Sequence, residues 1–200
     1  AAILRLAELG AVVAAVSTKD GAVLDDSGID IERLVALRRE FGDRCVLEYG
    51  ASAAPEAALR APVDILIPAA REDVIDEEIA ESTTARLVVE GANLPTSVAA
   101  RDVLHRRGIC VVPDFIANAG GIVAAAHSMD ARSSAFTVDP ARVFPMVSEK
   151  LRANAAAVIE ASLAAGAPPH QTALRLAQDR VREAMIARGR WRSADAIVTV

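Results

Sequence analysis

Apolar positions in the first ten residues, Ala1 to Gly10, recur at helical spacing and end at a glycine suited to a left-handed cap, with no start signal before them. The chain is therefore expected to open inside a helix. The valine-rich run Ala11 to Val16 predicts a strand buried on both faces. Asp20-Gly21 is expected to turn the chain, and Ile29 to Phe41 forms an amphipathic segment behind Asp30 as its N-cap. The pattern then alternates. Val63 to Ile67, Ala85 to Val89 and Gly108 to Val112 predict short buried strands, with Cys45 to Leu47 as a further one, while Val74 to Ala80 and Ser97 to Arg107 predict helices. Strands separated by helices need crossover connections, which implies a mostly parallel sheet covered on both faces, a Rossmann-like doubly wound α/β domain. After Pro113 only helical periodicity remains, over residues 118–129, 139–163 and 171–188, with Ala131 to Val138 as a linker. Pro145 either interrupts the second of these helices or marks its true first turn. The expected organisation is a dinucleotide-binding domain over 1–135 and a C-terminal helical extension over 136–200.

Composition narrows the chemistry. Two hundred residues with 52% in the hydrophobic class suffice for one core plus an appendage. A net charge of -5 with dispersed basic residues argues against nucleic acid as a partner, and Arg38-Arg39 and Arg106-Arg107 are too short to change that. No apolar run is long enough to cross a bilayer and no leader pattern is visible, so no membrane partner is expected. Cys45 and Cys110 lie singly inside apolar runs and read as reduced core thiols of a cytoplasmic protein. His105 and His170 have no companions at ligand spacing, so no metal site is expected. The acids Glu72, Asp73, Asp76, Glu77 and Glu78 suit the first turn of a solvated helix. His127 is read either as a solvated helix residue or as one that adjusts substrate choice. Trp191 either anchors the chain end by burying apolar area or packs on another domain.

In a doubly wound sheet, ligands collect at the carboxyl ends of the strands, which here means the loops after Val16, Ile67, Val89 and Val112. Three of these loops carry unusual segments: Ile67-Pro-Ala-Ala70, Glu90-Gly-Ala-Asn-Leu-Pro-Thr96 and Pro113-Asp-Phe-Ile-Ala-Asn-Ala-Gly-Gly121. Small side chains let a flat ring approach the main chain, and an asparagine offers a donor and an acceptor together. Taken singly, each segment is more readily read as turn chemistry.

In this order and spacing, the segments resemble the Glu/Leu/Phe/Val dehydrogenase family, most closely its glutamate dehydrogenase branch. The resemblance runs from Gly10 to about Trp191. It passes through Gly10-Ala-Val-Val-Ala-Ala-Val-Ser17, Gly28-Ile-Asp-Ile31, Asp64-Ile-Leu-Ile-Pro-Ala-Ala70, Val89-Glu-Gly-Ala-Asn93 with Pro95-Thr96, Arg107-Gly-Ile109, Pro113-Asp114, Asn118-Ala-Gly-Gly121 and Arg180-Val181 to Arg188-Gly189. It implies hydride transfer between an L-amino acid and NAD or NADP, giving a 2-oxo acid and ammonia, in a homo-oligomer. It further implies that Ala69 and Ala70 line the adenosine side, with Gly91 beside them. Asn93 then faces the nicotinamide ribose, Asn118 lies near the nicotinamide and the amino acid, and Gly120 and Gly121 let the next helix pack closely. The last helices are implied to take part in opening and closing the enzyme.

Departures from the family pattern are equally informative. The glycine-rich phosphate turn and first strand would precede Ala1, and the family's catalytic lysine and aspartate have no counterpart here, so no catalytic residue is expected in this chain and no turnover from it alone. At the ribose end the run is Ser17-Thr18-Lys19-Asp20. Either Lys19 pairs with a 2'-phosphate beside Thr18, or Asp20 serves the ribose of NAD. Where glutamate-specific members commonly place a serine for the substrate carboxylate, the matching residue is Ala125, which suits an apolar substrate. The Gly91-Ala-Asn93 and Pro95-Thr96 signature leans the other way. A non-catalytic nucleotide-sensing or interaction module with the same fold is the competing expectation.

Overall fold

The computed structural model describes residues 2–50, 53–132 and 140–190. The chain divides into two compact units, the first ending at Ile109 and the second beginning at Cys110.

The first unit opens with helix α1 (Ala2–Glu8), and Gly10 ends it at φ +85°. The Gly10 and Ala11 amides donate to the carbonyls of Ala7 and Leu6, the paired bonds that satisfy a helix end when a residue turns left-handed. The expected doubly buried strand is shorter and more exposed than its valines suggested. Strand β1 (Ala15–Thr18) has Ser17 exposed and its other residues half-buried. It pairs antiparallel with β2 (Gly21–Leu24), a strand absent from the expectation, in the register Ala15 opposite Leu24 and Thr18 opposite Gly21. The turn falls on Lys19 and Asp20, so this hairpin departs from the mostly parallel sheet that was expected.

Helix α2 (Ile31–Phe41) starts where Asp30 accepts the Arg33 amide at 2.9 Å, as its N-cap position requires. Cys45 to Leu47 is not a strand. It belongs to helix α3 (Cys45–Tyr49), closed by Gly50 at φ +117°. A strand would send Cys45 and Val46 to opposite faces, whereas a helix puts both into one core with Val23, Ile29 and Leu34. Tyr49 secures the arrangement, with its hydroxyl accepting the Asp30 amide at 2.9 Å and the Arg33 guanidinium 4.4 Å above its ring.

The remainder of this unit holds the parallel strands β3 (Ile65–Leu66) and β4 (Leu87–Val89), paired Ile65 with Leu87 and Leu66 with Val88. Helix α4 (Glu77–Ser82) begins three residues later than its periodicity implied. Asp76 caps it through the Ile79 amide, and Ile75 is committed to a parallel bridge with Thr96. Helix α5 (Val98–Arg106) is capped by Ser97 and buries Ala100, Val103 and Leu104.

The second unit contains β5 (Cys110–Val112), the one-turn α6 (Asp114–Ala117), α7 (Gly120–Arg132), α8 (Pro140–Ala165) and α9 (Pro169–Ala187). The first expected helix loses its leading residues because Asn118 serves as the C-cap of α6. Pro145 lies inside α8, beyond its first turn, and the helix continues past it. Beyond Arg132 the expected linker lies outside the described residues, as does Trp191. The first unit is therefore mixed α/β, with an antiparallel hairpin and parallel strands, and the second is largely helical. Among the described residues, no helix is long and apolar enough to cross a membrane.

Candidate functional site

The loops that leave β3 and β4 are tied to each other along their whole length. The Pro68 carbonyl accepts from the Gly91 and Ala92 amides at 3.0 and 2.9 Å. Further on, Asp73 donates to the Leu94 carbonyl, Val74 and Ile75 both donate to that of Pro95, and Ser97 donates to that of Ile75. Parallel pairing thus outlasts the strands by way of irregular backbone. Two residues hold left-handed conformations where the loops meet, Asp73 at φ +49° and Leu94 at φ +47°. For a leucine, that conformation costs about 1 kcal/mol or more, which the paired loops must offset.

Between these loops lies an open cleft of about 420 Å³, lined by Ala69, Ala70, Arg71, Glu72, Gly91, Ala92 and Asn93. Gly91 is required by close approach. A Cβ there would stand 3.0 Å from the Ala69 Cβ and 3.5 Å from the Pro68 carbonyl oxygen. Where Gly91 meets Ala69 the cleft is therefore lined by backbone and a methyl group, and Asn93, which also lines it, is exposed. Four expected residues, Ala69, Ala70, Gly91 and Asn93, share this one depression. Sequence reasoning gave Arg71 no role and read Glu72 as part of a solvated acidic run, yet both line this cleft. It also missed Glu90, which is fully buried behind Gly91. No sequence signal separates a buried carboxylate from a solvated one.

At the tip of the β1–β2 hairpin, Thr18 and Lys19 are engaged with the 3-10 turn that precedes α3. The Thr18 hydroxyl donates to the Asp43 carbonyl at 2.7 Å and accepts the Asp20 amide at 3.2 Å. Lys19 Nζ lies 3.9 Å from the Asp43 carboxylate, which also pairs with Arg38. The hydrogen bond and charge of Arg38 hold the Asp43 carboxyl below its ordinary range, with Lys19 adding to the effect. Ser17 is exposed on β1. A ligand phosphate reaching Lys19 would meet a cation that already has a carboxylate partner.

In the second unit, Asn118 is half-buried and its amide donates to the Asp114 carbonyl at 2.8 Å. Ala125 is exposed on α7 and His127 is half-buried on the same helix. Gly120 packs against α8, where an added Cβ would stand 3.4 Å from Val147 and 3.7 Å from Leu151. Gly121 has open space instead, so only the first of the two glycines serves close packing. Cys45 is buried and free, and burial pushes the Cys110 thiol up from its ordinary range. Among the described residues, no three His, Cys, Asp or Glu side chains are grouped to hold a metal.

A small-residue cleft at the carboxyl ends of parallel strands lies where ligands generally collect in α/β proteins. The chain belongs to the Glutamate/Leucine/Phenylalanine/Valine dehydrogenase family, whose model matches residues 1–189, and its relatives place it in the glutamate dehydrogenase branch. It is 34% identical over 186 residues to the NADP-specific glutamate dehydrogenase of Saccharolobus shibatae, covering 92% of this chain and 44% of that enzyme. It is 34% identical over 185 residues to the NAD-specific glutamate dehydrogenase A of Halobacterium salinarum, covering 91% of this chain and 42% of that one. Among solved structures, the hetero-hexameric glutamate dehydrogenase from Thermus thermophilus superposes with a TM-score of 0.78 at 27% identity, over 94% of this chain and 44% of that one. The chain thus spans less than half the length of these relatives.

Proposed function

We propose that this chain supplies the nicotinamide-nucleotide-binding part of an NAD(P)-dependent amino-acid dehydrogenase that deaminates an L-amino acid to a 2-oxo acid and ammonia. The observation that carries the proposal is the cleft formed by Ala69, Ala70, Gly91 and Asn93. Four of its lining residues, Ala69, Ala70, Gly91 and Ala92, bear no side chain larger than a methyl group, so a planar base can lie against backbone there, and the Asn93 carboxamide can both donate to and accept from ribose hydroxyls. The steric limit at Gly91 fits such a ligand, because a Cβ would intrude on the contact that closes the floor. When bound, the nicotinamide supplies the hydride acceptor.

The residues of this chain bind and orient. Ala69, Ala70 and Gly91 take the adenosine side and Asn93 the nicotinamide ribose. Asn118 is assigned to the nicotinamide and amino-acid side, with Ala125 as a substrate contact. Ser17, Thr18 and Lys19 are assigned to the ribose end of the nucleotide. We assign no general acid, base or nucleophile to this chain. The wider reading is a Rossmann-like doubly wound fold, a cytoplasmic location and a homo-oligomer. The parallel strands support the first of these, and the hexameric neighbour supports an oligomer.

Steady-state assays of the full-length natural protein with glutamate, leucine, phenylalanine and valine, each with NAD and NADP, test the proposal. Reduction of at least one nucleotide by at least one amino acid is expected. A folded protein that turns over none of these pairs would remove it. Glutamate far exceeding the apolar amino acids would exclude the apolar pocket that Ala125 suggests. Strong NAD preference would reject a 2'-phosphate role for Lys19.

A further inference from the structure

Within the second unit, α6 is a single turn of four residues, too short to be held by its own ladder. Its internal support consists of the Ile116 and Ala117 amides donating to the Pro113 carbonyl and the Asn118 amide donating to that of Asp114. Its orientation must therefore come from contacts with neighbouring helices. The first turn of α9 supplies two of them from one side chain. His170 Nε2 stands 3.9 Å from Asp114 Oδ1, and the His170 and Phe115 rings meet edge to face with centroids 5.1 Å apart at 87°. One imidazole thus lies against two consecutive residues of α6, edge-on to the Phe115 ring and with Nε2 near the Asp114 carboxylate but beyond hydrogen-bond distance of it. The Asp114 side chain is only 8% exposed and that of His170 25%, so the two are largely shielded from solvent. Helix α8 also packs against α6 itself, and beyond α6 the next anchor is Gly120 against Val147 and Leu151 of α8. Asn118 lies between the two anchors.

We infer that His170 is a positioning residue: by holding Asp114 and Phe115 it sets the orientation of the turn that presents Asn118, and so links α9 to the substrate side of the site. The functional consequence rests on the role proposed above for Asn118. The positioning itself does not. Two half-replacements separate its components, since His170→Gln keeps a polar group near Asp114 without the aromatic edge, while His170→Phe keeps the ring without the polar atom.

The test uses the full-length natural protein and two readouts. In His170→Ala, backbone amide exchange at residues 115–119 is expected to rise by about tenfold or more, with residues 173–187 of α9 unchanged. His170→Gln and His170→Phe should each recover part of that protection. Amino-acid KM should rise at least tenfold, while affinity for AMP, which probes the adenosine side alone, stays within twofold. Adding His170→Ala to Asn118→Ala should cost nothing further. Unchanged exchange at 115–119 would overturn the inference, as would faster exchange throughout α8 and α9, which marks a residue of general stability. Local loosening at 115–119 in a protein that turns over no amino acid would uphold the positioning role and defeat the dehydrogenase reading.

Discussion

Gly91→Ala is expected to weaken nicotinamide-nucleotide binding at least tenfold, about 1.4 kcal/mol, and to destabilise the protein by about 1–3 kcal/mol. The added methyl would stand 3.0 Å from the Ala69 Cβ, closer than two carbon atoms settle without movement. Neither neighbour can yield cheaply. The Gly91 amide is held by the Pro68 carbonyl, and Ala69 follows directly on that proline. The loops must separate, which widens the floor on which the base is proposed to rest. Moving the methyl rather than adding one should restore function, because Ala69→Gly empties the space that Gly91→Ala fills. Isothermal titration of the single variant and the double variant with NADH and NADPH checks this. Equal affinities for wild type and Gly91→Ala would show that the floor of the cleft is not a nucleotide contact.

A larger loss of stability is expected from Ile75→Ala, at about 2–5 kcal/mol. Ile75 is fully buried and sits where the two loops cross. Its amide donates to the Pro95 carbonyl and its own carbonyl accepts the Ser97 amide. Truncation therefore leaves a cavity beneath the same backbone that shapes the cleft, and nucleotide affinity should fall together with the unfolding midpoint. Ile65→Ala is the matched control. Ile65 lies on β3 and is 41% exposed, so its loss should cost well under half as much. Denaturant unfolding of both variants measures the contrast. Similar costs at the two positions would contradict the packing described here.

The residues that proved legible in the sequence are those whose chemistry is local. Asp30 caps its helix because a side-chain oxygen three residues ahead of an unsatisfied amide needs no tertiary information. Gly10 ends a helix for a reason equally confined to its own backbone. Ala69, Ala70, Gly91 and Asn93 were legible as a group only through the order of the segments that carry them. Their convergence on one cleft depends on the parallel pairing of β3 with β4.

Cys45-Val-Leu47 misled because three apolar residues fit either period. The decision came from Tyr49 and Gly50 beyond the run, and from a core that needed Cys45 and Val46 on one side. β2 escaped notice because Gly21-Ala-Val-Leu24 is short and begins with a glycine. Its strand character comes from pairing with β1. Glu90 and Asp114 were illegible for a physical reason: burial of a carboxylate is decided by what surrounds it, and the surroundings come from distant parts of the chain. His170 belongs with them. By spacing it had no partner, yet Asp114 lies beside it in the fold.

The central claim is that the depression at the ends of β3 and β4 receives the nicotinamide nucleotide. Alanine-methyl-labelled full-length protein titrated with NADH and with NADPH addresses it directly, because Ala69, Ala70 and Ala92 place three methyl reporters in the cleft. The account predicts saturable shifts of these three resonances with at least one nucleotide, while Ala177 on α9 stays unmoved. Saturable binding that leaves Ala69, Ala70 and Ala92 untouched would contradict it.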